Sequence, residues 1–322
     1  MPSPESKALS ELYRGWIETR AANPDLPVDK VRQLFEHWGD VTGEPGGVDY
    51  LEVVANGVAA LWAVPQNAAP DRAIPATHGG GYVVGSRYSH RKLFGHIAKA
   101  VGVRVLIIEY RRAPEHLHPA PVEDAVTSYE WLLAQGFAPE HIALTGDSAG
   151  GALAITTLLL LRERGLPLPA ASVPISPWTD LEITGESVRT NHEKDFFVKR
   201  HLIETMSATY LGEHGQRNDP LASPLYADLA GLPPLYIQTG GDETLLDDSR
   251  RIVESARAVG VEVTFDIYPE QQHIFQFLAG TAPEADQAVR DLAVWLRPRL
   301  GLPPLSEAAT HSNDEARELL TA

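Results

Sequence analysis

The stretch Ile142-Ala143-Leu144-Thr145-Gly146-Asp147-Ser148-Ala149-Gly150-Gly151 runs from a strand-like tetrapeptide, through a serine flanked by small residues, into the most apolar segment of the chain, 152–161. A serine at a strand-to-helix junction, with glycine two positions away on either side, sits on a sharp turn. That turn lifts its hydroxyl above the end of a sheet, and only small neighbours let the backbone bend so tightly. On its own the pentapeptide would also suit a glycine-rich turn capped by a serine. Its placement between a strand and a buried helix favours the first reading.

Outward from that turn, His78-Gly79-Gly80-Gly81-Tyr82 follows another strand-like run that ends at Thr77. Three consecutive glycines leave N–H groups free to converge on one anionic oxygen with no side chain in the way. A phosphate loop would need Gly-Lys-Ser/Thr, or G-x-G-x-x-G opening a helix, and neither pattern occurs here. Beside Ser148, the run reads as an oxyanion hole.

Strand-like and helix-like segments alternate around these two loops. Strands are expected at 72–77, 104–110, 141–145, 171–176, 234–239 and 261–267, and helices at about 89–100, 121–135, 149–164, 247–259 and 283–299. Alternation of this kind implies an α/β fold, a mostly parallel sheet with helices on both faces. Asn56-Gly57, between runs at 50–54 and 58–64, signals a hairpin. The hairpin gives an eight-stranded sheet an antiparallel N-terminal edge. Pro75 and Pro174 fall inside expected strands, where a missing N–H breaks the ladder, so a bulge or a strand end is expected at each. Residues 1–45 carry two amphipathic helices, marked by Leu9, Leu12, Tyr13, Trp16 and Ile17, then by Val28, Val31, Leu34, Phe35 and Trp38. Residues 181–233 break the alternation and read as an insertion with a helix near 199–211.

A serine hydroxyl is a poor nucleophile until an imidazole takes its proton, and the imidazole needs a carboxylate to orient it. Both should lie on loops after later strands. The run at 236–240 leads into Gly241-Asp242-Glu243-Thr244-Leu245-Leu246-Asp247-Asp248, and the run at 263–268 leads through Pro269 into Gln272-His273-Ile274-Phe275. The order is therefore serine, acid, histidine, each directly after a strand.

With these motifs the chain resembles the α/β-hydrolases of the bacterial hormone-sensitive-lipase-like family of carboxylesterases, over roughly residues 45–300. Further matching segments are Tyr110-Arg111-Arg112-Ala113-Pro114-Glu115-His116, His118-Pro119-Ala120 and Ser176-Pro177-Trp178-Thr179-Asp180-Leu181. The resemblance implies that Ser148 is the nucleophile and His273 the general base. It implies that the N–H groups of Gly80, Gly81 and Ala149 hold the oxyanion, while His78 orients the glycine loop. The family's acid lies two residues before a leucine; aligning Leu245 with that leucine gives Glu243, with Asp242 the competitor and Asp247 structural. Arg112 and Thr77 depart from the family's usual residues. Glu115, His116 and His118 could suggest a metal site, but they lie in a motif the family uses to brace structure. Neither a metal nor a cofactor is expected.

The implied organisation is a helical cap segment at 1–45, a catalytic domain at 46–300 with a cap insertion at about 185–222, and a polar tail at 301–322. Trp16, Trp38, Phe196 or Phe197 would wall the pocket. The expected reaction is hydrolysis of short- to medium-chain carboxylic esters through an acyl-enzyme. A lactone hydrolase or a small-molecule deacetylase would use the same residues. A binding-only receptor of this fold would have lost one of Ser148 and His273, and both are present.

Composition narrows the partners. Against 43 Asp+Glu stand 27 Lys+Arg, a formal net charge of −16, which disfavours nucleic acid and anionic lipid surfaces. Cysteine is absent, which excludes disulfides, a thiol nucleophile and cysteine-held metal. The apolar stretch at 152–161 is about half the ~20 residues needed to cross a bilayer, and the first residues lack a secretory core. A cytoplasmic location is expected, with a small-molecule ester or lactone as partner. An exposed last strand near 261–267 offers an edge for a homodimer.

Overall fold

Strand and helix alternate along the chain much as the sequence predicts, in a computed structural model that describes residues 2–305. Two helices, α1 (Lys7–Ala22) and α2 (Val28–Phe35), precede a hairpin of β1 (Val48–Ala55) and β2 (Val58–Pro65). Then come β3 (Ala69–Thr77), α3 (Arg91–Val101), β4 (Val103–Ile108), α4 (Ala120–Ala134), β5 (Ala143–Asp147), α5 (Ala149–Glu163) and β6 (Ala171–Ile175). A helical excursion, α6 (Ser187–Thr190) and α7 (Arg200–Leu211), separates these from β7 (Leu235–Gly240), α8 (Leu246–Ala258), β8 (Val263–Tyr268) and α9 (Pro283–Arg299). The expected tail lies, from residue 306 onward, outside the described residues.

The eight strands form one sheet in the order β1-β2-β4-β3-β5-β6-β7-β8. Only β2 runs antiparallel to its neighbours, β1 and β4; every other pairing is parallel. Central strands such as Val103-Arg104-Val105-Leu106-Ile107-Ile108 are β-branched and almost wholly buried, as strands covered on both faces must be. α5 carries apolar residues round its whole circumference, buried from Ala149 to Leu161, which fits a core helix and not a membrane span. Among the described residues no helix is long and apolar enough to cross a membrane.

The prolines correct one expectation. Neither ends a strand or creates a bulge at its own position. Pro75 stays in register with Leu106 of β4, and the irregularity of that pair lies earlier, between Ala69 and Ala73. Pro174 stays in register with Gly146 of β5. On its β7 side, however, the N–H groups of Ser172 and Ser176 donate across to Pro234 and Gln238 while the site between them is silent. The β5 side of Pro75 likewise skips from Ala73 to Ala76. The missing N–H therefore costs one rung on one side, which a strand paired on its other side tolerates.

The N-terminal helices pack over the C-terminal end of the sheet. Tyr13, Trp16, Phe35, Trp38 and Phe197 form one aromatic cluster, with Tyr13 stacked on Phe197 at 4.5 Å between centroids and Trp38 stacked on Phe277 at 5.2 Å. Such ring pairs contribute roughly 0.5–1.5 kcal/mol each beyond their burial. Arg32 on α2 adds polar ties, donating to the carbonyls of Val83 (2.9 Å) and Ala113 (2.8 Å) and pairing with Glu115.

Candidate active site

Ser148 occupies the turn between β5 and α5 with φ 54° and ψ −119°. This conformation strains a residue bearing a Cβ, and it is held by a ring of backbone bonds. Its N–H donates to Ile175 at 2.9 Å, and its carbonyl accepts from Ala152 and Trp178 at 3.0 Å each. The turn closes against the end of β3 so tightly that a Cβ on Gly150 would overlap the Thr77 carbonyl. The Thr77 hydroxyl donates to Gly150 at 2.7 Å, so the small residue that departs from the family pattern fastens the two loops together.

His273 and Glu243 reach the same point from the loops after β8 and β7. His273 Nε2 lies 3.0 Å from Ser148 Oγ, and its Nδ1 bonds Glu243 Oε2. Both partners are fully buried. Glu243 Oε1 accepts from the Gly240 N–H at 2.6 Å, the Ser176 hydroxyl at 2.9 Å and the Thr239 hydroxyl. Burial alone would push the His273 imidazole down, but the charge and hydrogen bond of Glu243, with Asp195 and Asp147 beyond, raise its pKa above the ordinary value. Asp242, the competing acid, turns away and faces Lys194 at 3.7 Å. Asp247 accepts from the Ser187 N–H at 2.8 Å and serves the backbone, as expected.

The glycine loop lies on the other side of Ser148. Gly80 has φ +113°, open only to glycine, and a Cβ there would overlap the Val84 carbonyl. Among the described residues no acceptor takes the N–H of Gly80, Gly81 or Ala149. The loop is pinned from beneath by Asp147, whose carboxylate accepts from the Gly79 N–H at 3.1 Å and contacts His90 Nε2 at 3.2 Å. His78 stacks on Tyr110 at 4.2 Å, and its Nδ1 lies 2.8 Å from the Gly79 carbonyl. Its burial pushes the ring's pKa well down.

Trp38 and Phe197 line a cavity of about 20 Å³ together with Gly80, Gly81, Ser148, Trp178, Leu202, Ile203, Met206 and Leu245. Trp16 and Phe196, the other expected wall residues, do not. Trp16 packs behind Trp38 in the aromatic cluster, and Phe196 lies under the Arg14 guanidinium. Glu115, His116 and His118 do not converge either: Glu115 is held by Arg32, and His118 by Tyr210 and Asp219.

The sequence reading assigned no role to three residues that hold this site. Asp195 is fully buried and accepts from the N–H groups of Phe197, Val198 and Thr244, at 2.8 Å each. It thereby ties the helical excursion to the residue after Glu243. Burial raises its pKa, against the pull of His273 and those N–H groups. Tyr13 donates its hydroxyl to the His273 carbonyl. His90 braces Asp147. A buried polar contact leaves no periodic signal: Tyr13 is legible in the sequence only as a member of the first helix's apolar face, and Asp195 and His90 carry no mark of a role at the site.

Comparison with known proteins agrees with this fold. A family model described as the α/β hydrolase fold matches residues 75–277. An acetyl-hydrolase of Streptomyces hygroscopicus is 38% identical over 304 residues, covering 94% of this chain and 99% of that one. An esterase of Acinetobacter venetianus is 37% identical over 67% of this chain and 71% of its own. The crystal structure of an esterase from the bacterial hormone-sensitive lipase family superposes with a TM-score of 0.88 at 44% identity, over 93% of this chain and 99% of that one. The chain belongs to the α/β-hydrolase fold family, in its bacterial hormone-sensitive-lipase-like group.

Proposed function

We propose that the chain is a carboxylic ester hydrolase whose nucleophile is Ser148. The observation that carries this reading is the line from Glu243 through His273 to Ser148 Oγ, together with three backbone N–H groups that have no partner among the described residues. Ser148 Oγ attacks the ester carbonyl as His273 Nε2 takes its proton, and Glu243 balances the imidazolium. The N–H groups of Gly80, Gly81 and Ala149 receive the oxyanion, where each such donor is worth roughly 2.7–4 kcal/mol of barrier. His273 then returns the proton to the departing alcohol. Water, activated by the same imidazole, releases the acid from the acyl-enzyme.

The cavity at Ser148, about 20 Å³, has room for about one water molecule, and it supports the short end of the acyl range. The name of the Streptomyces relative, an acetyl-hydrolase, points the same way. Residues 1–45 and 185–222 form the cap: Trp38, Phe197, Val198 and Met206 from these segments close over the serine, and larger acyl groups require them to move.

Turnover of p-nitrophenyl esters from acetyl to decanoyl, together with small lactones, tests the reading. The expected order of kcat/KM falls with acyl length, and a fluorophosphonate labels Ser148. A preference for long chains would contradict the acyl assignment. Absence of labelling at Ser148 would contradict the nucleophile.

A further inference from the structure

The sequence contains no cysteine and two methionines, Met1 and Met206. Met206 lies on α7 and lines the cavity that also holds Ser148, Gly80 and Gly81. Its sulfur rests on the glycine loop so closely that a Cβ on Gly81 would overlap it. Among the described residues, then, the single thioether of a thiol-free chain sits against a proposed oxyanion donor. It keeps 8% of its surface exposed.

We infer that Met206 is an oxidation site, and that a small hydroperoxide switches the enzyme off by converting this thioether to the sulfoxide. The inference rests on the reading of Gly80, Gly81 and Ala149 as the oxyanion hole. In the step itself, a sulfur lone pair attacks one peroxide oxygen. The S–O bond forms as the O–O bond breaks, sulfur gives up two electrons, and the other oxygen leaves as water or an alcohol after taking the proton of the transferred hydroxyl.

The consequence follows from what surrounds the new oxygen. A sulfoxide oxygen is a strong acceptor, and burying it without a donor is costly. Its apolar neighbours Trp38, Leu202 and Ile203 offer nothing. The donors of cavity-lining residues without a partner among the described residues include the N–H groups of Gly80 and Gly81 and the indole N–H of Trp178. An oxygen satisfied by the glycine N–H groups occupies the place of the substrate oxyanion. A cavity of about 20 Å³ has room for about one water-sized group, and the new oxygen takes that room.

The test exposes wild-type enzyme and Met206→Leu to graded hydrogen peroxide. Each is followed by p-nitrophenyl acetate turnover relative to its own untreated rate, by fluorophosphonate labelling and by peptide mass. Wild type is expected to lose activity on the order of a hundredfold, in step with one added oxygen on the Met206 peptide, while Met206→Leu keeps its own rate. Parallel inactivation of Met206→Leu would overturn the inference. So would a wild-type Met206 sulfoxide with undiminished turnover, or a Met206 that stays reduced while Met1 is fully oxidised. The wild-type correlation of mass with rate stands even if the variant folds poorly. Untreated enzyme that fails to label at Ser148 would instead bring down the site reading, and this inference with it.

Discussion

The hydroxyl of Tyr13 donates to the backbone carbonyl of His273 at 2.9 Å, across 260 positions of sequence, and in turn accepts from the Trp38 indole N–H at 3.2 Å. The first helix is thus bonded to the loop that carries the proposed base. The aromatic cluster packs around this contact, and the hydrogen bond fastens Tyr13 to the His273 loop.

Tyr13→Phe keeps the ring and its stacking on Phe197 but leaves the His273 carbonyl and the Trp38 N–H without their partner. A loss of about 1–3 kcal/mol in unfolding free energy is expected, read by urea denaturation. Turnover should fall while fluorophosphonate labelling of Ser148 persists. Unchanged stability would show that the contact carries no weight.

The pH dependence follows from His273. Catalysis needs the neutral imidazole, and Glu243 holds its pKa above the ordinary value despite burial. The acid limb of kcat/KM should therefore lie above ~6.5. Stability runs the other way. A folded pKa raised above the unfolded one contributes stability fully below the unfolded value, and that contribution is lost as pH rises through the folded value. Glu243→Gln removes the charge, so the acid limb should move to lower pH, with a reduced plateau. A limb that stays in place would exclude Glu243 as the source of the shift.

Asp195 is expected to matter through position. Asp195→Ala strands the N–H groups of Phe197, Val198 and Thr244, each costing about 1–3 kcal/mol if left unpaired. Asp195→Asn keeps an acceptor for part of this set and should be milder in urea. Because Asp195 also raises the His273 pKa, the Asn variant should move the acid limb of the rate profile downward. A purely structural role would leave that limb in place.

The parts of the protein legible in the sequence are those whose chemistry is local. Strand alternation, the Asn56-Gly57 hairpin and the turn around Ser148 each depend on neighbours within a few residues, and each stands where the pattern placed it. The resemblance favours Glu243 over Asp242, but the residues alone leave both open: adjacent carboxylates leave the loop in different directions, Glu243 toward His273 and Asp242 toward Lys194. Phe196 and Phe197 pose the same problem, one turned to Arg14 and the other to the cavity. The prolines were misjudged because a strand's two edges are independent, and a sequence does not reveal which edge a missing N–H faces.

The central claim is that Ser148 Oγ is the attacking atom, and Ser148→Ala tests it most directly. With the folded state verified by its urea midpoint, turnover of p-nitrophenyl acetate by the purified variant should fall by about 10⁴-fold or more. Turnover equal to that of the unaltered protein would contradict the account.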